Sequence, residues 1–202
     1  LQGLPTKLDD MSSTVQGIAA ITGDLELATD AGLALNDMLL AAGSSTQLSA
    51  AAMEQFRQIL AKGKPEMQDW RALTSAMPGQ MKQLAQEMLG ANATADNLYK
   101  ALGGGGEKAT VTTDQLLKAM IKLDNEGGAG ITSFAKQAKT ATDGVATSAE
   151  NLGNAFTRGI AGVMDAVGKQ NISSAFGTAK AAVDAFFKVV QSGTPAVVSA
   201  FK

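Results

Sequence analysis

The chain has 202 residues, of which 45 % are hydrophobic and only 4 % aromatic. A chain of this length buries about 70 % of the surface that it exposes when unfolded, which is enough for one domain with an extension. Because Ala and Gly are abundant and aromatic residues are few, the composition favours thin, closely packed helices. The chain contains no Cys and no His. Disulfides, thiol nucleophiles, a histidine general base and the common zinc sites are therefore excluded.

The net charge is −2, and the 17 Lys and Arg residues are scattered singly along the chain. Since no basic stripe is present to neutralise phosphates, the sequence argues against direct nucleic-acid binding. No run of about 18 uncharged apolar residues occurs, so we expect no bilayer-spanning segment; membrane contact is possible but not indicated. Residues 1–5 lack an initiator Met and a signal-peptide pattern. We therefore expect the chain to be a fragment of a longer protein.

Helical periodicity, interrupted by Gly, Pro and Ser or Thr, predicts seven or eight helical segments and an all-α fold. Pro5 and Thr6 open the first helix, and Gly23 ends it. Asp24 then lies at the N-cap position of the second helix, where its carboxylate can accept unpaired backbone N–H groups. The apolar stripes of these two helices are Leu8, Met11, Val15, Ile18 and Ile21, and Leu25, Ala28, Gly32, Leu35 and Leu39.

The third and fourth helices are predicted from their starting residues. Ser44 and Gln47 have the spacing of a capping box and would open the third helix. Pro65 suits the first turn of the fourth helix, which carries Trp70 and Leu73.

Later helices are separated by Pro and Gly. Pro78 cannot continue the fourth helix, so it either kinks that helix or begins another. The four glycines at 103–106 end a short helix, since their backbone entropy opposes helical structure. Thr112 and Gln115 form a second capping-box match at the start of the next helix, and a further glycine-rich break follows at 127–130.

The pattern changes near residue 143, where apolar residues begin to recur at steps of three and four. This near-heptad spacing predicts a long helix pair or a supercoiled, coiled-coil rod. We therefore expect a compact multi-helix module over 1–140, followed by longer heptad-like helices over 141–202. The pattern is equally consistent with a helical hairpin and with a rod that self-associates through 143–190.

Several groups of residues have the types needed for chemistry but not the arrangement. Close carboxylate pairs occur at Asp9 and Asp10, Asp24 and Glu26, and Asp124 and Glu126. Because adjacent helical residues point apart, we expect solvated or helix-capping carboxylates here. A cation held by 124–126 is the alternative, although the spacing of a calcium loop is absent. The glycines at 103–106 lack the strand and Lys-Ser/Thr of a phosphate loop, so we interpret them as a flexible linker.

A glycosidase would need a buried catalytic Glu and a sugar cleft. Glu54, Glu87 and Glu150 lie on ordinary amphipathic helices, and few aromatic side chains are available to line a cleft. We therefore predict that the chain is not an enzyme and that it has no catalytic, cofactor-binding or metal-binding residues.

Large apolar side chains are the remaining candidates for structural or interaction roles, and they are Trp70, Leu73, Phe156, Ile160, Phe186 and Phe187. Trp is favoured in interaction hot spots. However, a lone Trp between apolar helical neighbours is more often a core residue, and we expect Trp70 to be one. The nine Met residues are expected to fill gaps between helices.

A set of short motifs, none specific alone, occurs in a fixed order along the chain. They include Leu4-Pro5-Thr6, Gly23-Asp24, Leu33-Ala34-Leu35-Asn36-Asp37, Lys62-Gly63-Lys64-Pro65-Glu66-Met67-Gln68-Asp69-Trp70, Asp96-Asn97-Leu98-Tyr99, Thr112-x-Asp114-Gln115 and Asn151-Leu152-x-Asn154-Ala155-Phe156. Together they resemble the conserved N-terminal-type helical domain of bacteriophage and prophage tail tape-measure proteins, from about residue 3 to about residue 168. The glycine loop at 103–106 is long for that family, and the end after 168 has no counterpart that we recognise.

The resemblance implies a structural protein that fills the tail lumen and whose length sets how many rings of tube protein assemble. It implies the tail tube protein, tail assembly chaperones and baseplate or tail-tip proteins as partners. It also implies the host bacterial cytoplasm during assembly, and then the virion tail, as locations. The family assigns no catalytic residues to this domain.

Two other classes of function remain open from the residues. One is a helical interaction or membrane-active module, such as a secreted effector or adhesin segment, which the amphipathic stretch 183–190 favours. The other, less favoured, is a segment of a cell-wall hydrolase.

Overall fold

The computed structural model describes residues 8–128 and 130–141. These residues belong to the first of the two units into which the chain divides, Leu1–Glu150. The second unit, Asn151–Lys202, lies outside the described residues, as does nearly all of the heptad-like region. The predicted hairpin, rod and coiled coil over 141–202 therefore stay predictions.

The described part of the chain is all-α, which confirms the predicted fold class. It contains eight α-helices and one 3₁₀ turn and no strand, with a single bridge between Gly128 and Ile131 in the last turn region. The helices are α1 (Leu8–Thr22), α2 (Leu25–Ala41), α3 (Thr46–Lys62), α4 (Met67–Ala76), α5 (Pro78–Leu89), α6 (Ala95–Ala101), α7 (Thr113–Asn125) and α8 (Phe134–Ala141), and the 3₁₀ turn is Gly104–Gly106.

Helix α2 lies at the centre of the packing. Helices α1, α7 and α8 pack against it, while α3 packs against α1 and α4, and α5 packs against α4, α6 and α7. Small residues on α2, among them Ala28, Ala31 and Gly32, are fully buried and allow close approach of its neighbours. At Gly32 an added Cβ would lie only 2.4 Å from Cγ2 of Val15, so α1 and α2 cross where Gly leaves room.

Two helix starts agree with the sequence prediction. The Asp24 carboxylate accepts the backbone N–H of Leu27 at 3.0 Å, which caps α2. At α7, Thr112 and Gln115 form a complete capping box. The Gln115 N–H donates to the Thr112 hydroxyl at 3.2 Å, and the Thr112 N–H donates to the Gln115 side chain at 2.9 Å.

The predicted start of α3 is wrong by one residue. The N-cap is Ser45, whose hydroxyl accepts the Leu48 N–H at 3.4 Å. Ser44 is buried instead, and its hydroxyl donates to the carbonyl oxygen of Ala76. Ser44 thus joins the start of α3 to the end of α4, a long-range bond that local spacing cannot indicate.

The predicted start of α4 is also wrong. Pro65 is buried but lies before the helix, which begins at Met67 with Glu66 as N-cap. The reason is the Asp69 carboxylate, which accepts the Glu66 N–H at 3.2 Å and so sets the first turn after the proline. Pro78, by contrast, occupies the first turn of α5, so this proline begins a helix rather than kinking one.

The glycines at 103–106 form a packed turn, which contradicts their interpretation as a flexible linker. Gly104 is buried, and a Cβ there would lie 2.3 Å from Cε2 of Tyr99. Gly103 and Gly105 have φ values of 84° and 69°, the left-handed conformation that Gly adopts without strain. The Tyr99 ring thus explains why Gly is needed at position 104, and the positive φ values explain Gly at 103 and 105.

Candidate interaction residues and buried carboxylates

Trp70 and Leu73, two of the six candidate residues, lie in the core of the described module. Their exposed fractions are 4 % and 1 %. The Trp70 ring packs against Tyr99 with centroids 5.8 Å apart and planes tilted by 44°. Both residues therefore face other helices of this chain. The other four candidates, Phe156, Ile160, Phe186 and Phe187, lie outside the described residues, and their roles stay predictions.

The core around Trp70 contains a cavity of about 10 Å³, at the lower limit of the space that holds one water molecule. Its lining is apolar and includes four of the methionines. The lining residues are Met38, Phe56, Trp70, Leu73, Met77, Met81, Leu84, Leu116 and Met120. Flexible thioether side chains are suited to filling irregular space between helices. This arrangement agrees with the expectation that methionines act as gap fillers here.

An ion pair with one buried partner, Asp69, connects the end of α3 to the start of α4. The Lys62 ammonium lies 3.2 Å from the Asp69 carboxylate and 3.1 Å from that of Glu66. Asp69 is almost fully buried, while Lys62 is about one-third exposed. The same Asp69 oxygen accepts the Glu66 N–H, so one carboxylate both caps α4 and pairs with α3. This role was not predicted, although Asp69 lies beside Trp70 and one turn before Leu73.

A second group of buried polar side chains lies where α2, α7 and α8 meet. Asp124, near the end of α7, is only 7 % exposed, which contradicts its predicted role as a solvated carboxylate. Burial raises its pKa to about 7, with further increases from the charges of Asp37 and Asp30, while a hydrogen bond from the Ala135 backbone lowers it. The physical reason is its position on the apolar stripe of α7, one turn after Met120.

Asp37 and Asn36 on α2 complete this group. Asp37 is half-buried. Its burial raises the pKa of its carboxyl group to about 6, although a hydrogen bond from Asn36 lowers that pKa. The Asn36 amide donates to the Asp37 carboxylate at 3.2 Å and is itself 4 % exposed. Desolvation, together with the charges of Glu26 and Asp24, also raises the pKa of Asp30, an exposed residue two turns before Asp37.

Residues 8–128 and 130–141 show no arrangement of side chains that would bind a metal ion. No group of three or more His, Cys, Asp and Glu side chains there is placed to hold a metal ion. The alternative of a cation at 124–126 is therefore unsupported, since Asp124 points into the α2–α8 interface while Glu126 is exposed.

The glutamates considered for hydrolysis take part in ion pairs. Glu54 pairs with Arg57 on the same helix, and Glu87 on α5 pairs with Lys122 on α7 at 2.5 Å. The second pair joins two helices. Glu150 lies outside the described residues.

Four large apolar side chains are exposed in the described part of the chain: Ile21, Leu48, Met67 and Leu89. Each lies on a different helix and within two residues of its end. None of the described helices combines the length and apolarity needed to cross a lipid bilayer.

Comparison with known proteins identifies the family. The family model described as "Tape measure protein" matches residues 1–165, which include every described helix. No curated protein and no solved structure matches the chain. The matched segment covers far more than half of the sequence and agrees with the motifs found along it. The chain therefore belongs to the tape measure protein family of phage tails.

Proposed function

We propose that this chain sets phage tail length from within the tail tube, with its folded module acting as an anchor and its heptad-like region acting as the measured length. The observation that carries the assignment is the family match over 1–165. The division into an anchor and a measured length rests on the geometry of helices.

A helical ruler converts residues into length at 1.5 Å per residue only when the helix is extended. The described helices are at most 17 residues long, or about 26 Å each. They pack against one another around α2 instead of running end to end. In this folded state the module adds only its packed dimension to the tail. The heptad-like residues from 143 onward are the part of the sequence whose pattern favours an extended helix.

The partners proposed on the basis of the family are the tail tube protein, the tail assembly chaperones and the baseplate or tail-tip proteins. The chain would meet the chaperones in the host cytoplasm and would then reside in the lumen of the virion tail. Self-association through 143–190 is part of this proposal, because near-heptad stripes bury their apolar residues by pairing with another helix.

The test is tail length measured by electron microscopy after an in-frame deletion of 143–170 in the phage. This removes 28 residues, so an extended helix predicts tails shorter by about 42 Å. The matched control replaces 143–170 with an unrelated heptad sequence of the same length, which should restore normal tails. Unchanged tails after the deletion would contradict the assignment of measured length to this region.

A further inference from the structure

Helix α8 is held by a junction that contains ionisable groups. It packs along α2 and also touches α7. Asp124 of α7 and Asp37 of α2 lie at this junction, and the backbone N–H of Ala135, in the first turn of α8, donates to Asp124. Opening of α8 would therefore expose both carboxyl groups to water.

Two buried oxygen atoms near this junction lack a hydrogen-bond partner. Oδ1 of Asp124 and Oδ1 of Asn36 are buried and have no hydrogen-bond partner. An ionised carboxylate in such a place loses the hydration that it has in the unfolded chain, and this loss favours its neutral form. Protonation of Asp124 would remove the charge from this buried carboxyl group and so relieve the loss of hydration.

The surrounding charges do not offset the lost hydration of an ionised Asp124. The two charges that act on Asp124 are those of Asp37 and Asp30, and both raise its pKa. Lys122 on α7 is paired with Glu87 of α5. The charged side chains on the helices around the junction are Glu26, Asp30 and Asp37 on α2, Lys82 and Glu87 on α5, Asp114, Lys118, Lys122 and Asp124 on α7, and Lys136 and Lys139 on α8.

We propose that Asp37 and Asp124 form a proton-dependent latch, which holds α8 against α2 and α7 when protonated and loosens α8 when both carboxyl groups are ionised. This latch is independent of the assignment of a measured length to 143–170. Its structural consequence is that α8, the last described helix before the heptad-like region, separates from the module more easily as the pH rises.

The sign follows from linkage. Both groups have a pKa in the folded chain, about 6 and about 7, above the ordinary value of 3.8. Their contribution to stability is therefore fully present below about pH 4 and is lost as the pH rises through 6 and 7. Between the ordinary pKa and the pKa in the folded chain, each proton that is released on opening raises the opening equilibrium constant tenfold per pH unit.

The test is amide hydrogen exchange of α8 in the full chain at pH 5.5 and pH 8, corrected for intrinsic exchange rates. We expect the opening equilibrium of α8 to be at least about tenfold larger at pH 8. Asp124→Asn, a neutral isostere, should protect α8 at pH 8 and remove most of the pH dependence. Asp114→Asn, on the same helix but exposed and paired with Lys118, should leave the wild-type pH dependence unchanged.

Equal α8 protection at the two pH values in the wild-type chain would overturn the latch, as would greater opening of a folded Asp124→Asn variant at pH 8. Asp37→Asn is an independent second variant, because the group that it replaces is only half-buried. It should also reduce the pH dependence, and an unchanged dependence would count against the proposal even if Asp124→Asn did not fold.

Discussion

Gly32 offers a test of how α1 and α2 pack, because its substitution sets two effects of opposite sign against each other. Ala is a better helix former than Gly by about 1 kcal/mol, so propensity alone predicts that Gly32→Ala stabilises α2. The added Cβ, however, would lie 2.4 Å from Cγ2 of Val15. Carbon atoms in favourable contact lie about 3.5–4.0 Å apart, so the shortfall exceeds about 1 Å.

The neighbour has little freedom to move. Val15 is 1 % exposed, and a β-branched side chain in a helix has one strongly preferred χ1 rotamer. Overpacking of this kind costs about 1–3 kcal/mol. We expect a cost in the upper part of that range because the distance from the added Cβ to Cγ2 of Val15 is far shorter than a normal contact. After subtraction of the propensity gain, Gly32→Ala should destabilise the folded module by about 2 kcal/mol.

The assay is urea denaturation followed by circular dichroism. The matched control is Gly79→Ala in α5, where nothing lies within 4 Å of the added Cβ and stability should stay unchanged or rise by up to about 1 kcal/mol. In a Val15→Ala background the clash is removed, so Gly32→Ala should there become neutral or stabilising. A Gly32→Ala variant as stable as the wild type would refute the close crossing of α1 and α2.

Two further substitutions test other contacts of the module by the same assay. Asp69→Ala removes both the acceptor that sets the start of α4 and the buried partner of Lys62, so it should cost about 1–2 kcal/mol. Asp96→Asn, which loses only an exposed pair, should cost no more than about 0.5 kcal/mol, and equal losses for the two variants would contradict the role given to Asp69. Gly104→Ala would place a Cβ 2.3 Å from the buried Tyr99 ring and should destabilise the module by about 2 kcal/mol. An unchanged unfolding midpoint would instead show that the 103–106 turn is the flexible linker that the sequence predicted.

The local starts of helices were predictable where they follow the common capping pattern. Thr112 with Gln115 matches that pattern, and the structure confirms it. The box at Thr94 and Asn97 was missed, because its fourth residue is Asn instead of Glu or Gln. Ser44 matched the pattern but bonds to the distant Ala76, and no local rule contains such a contact.

The buried polar side chains were missed for a different reason. Asp124 and Asn36 lie on apolar stripes, one turn after Met120 and Gly32 respectively, so the periodicity did contain a signal. Because Asp and Asn are mostly exposed in proteins, their residue types predict exposure at these positions and not burial. Which helix would cover them depends on the fit of side chains across α2, α7 and α8, and a single sequence does not contain that information.

The proposed ruler is tested most directly by the dependence of tail length on the number of residues in the heptad-like region. We would measure tails by electron microscopy for a series of in-frame deletions and duplications within 143–190, in steps of whole heptads. We expect a linear dependence with a slope of about 1.5 Å per residue for both deletions and duplications. Tails of constant length across a series of variants that still assemble would contradict it.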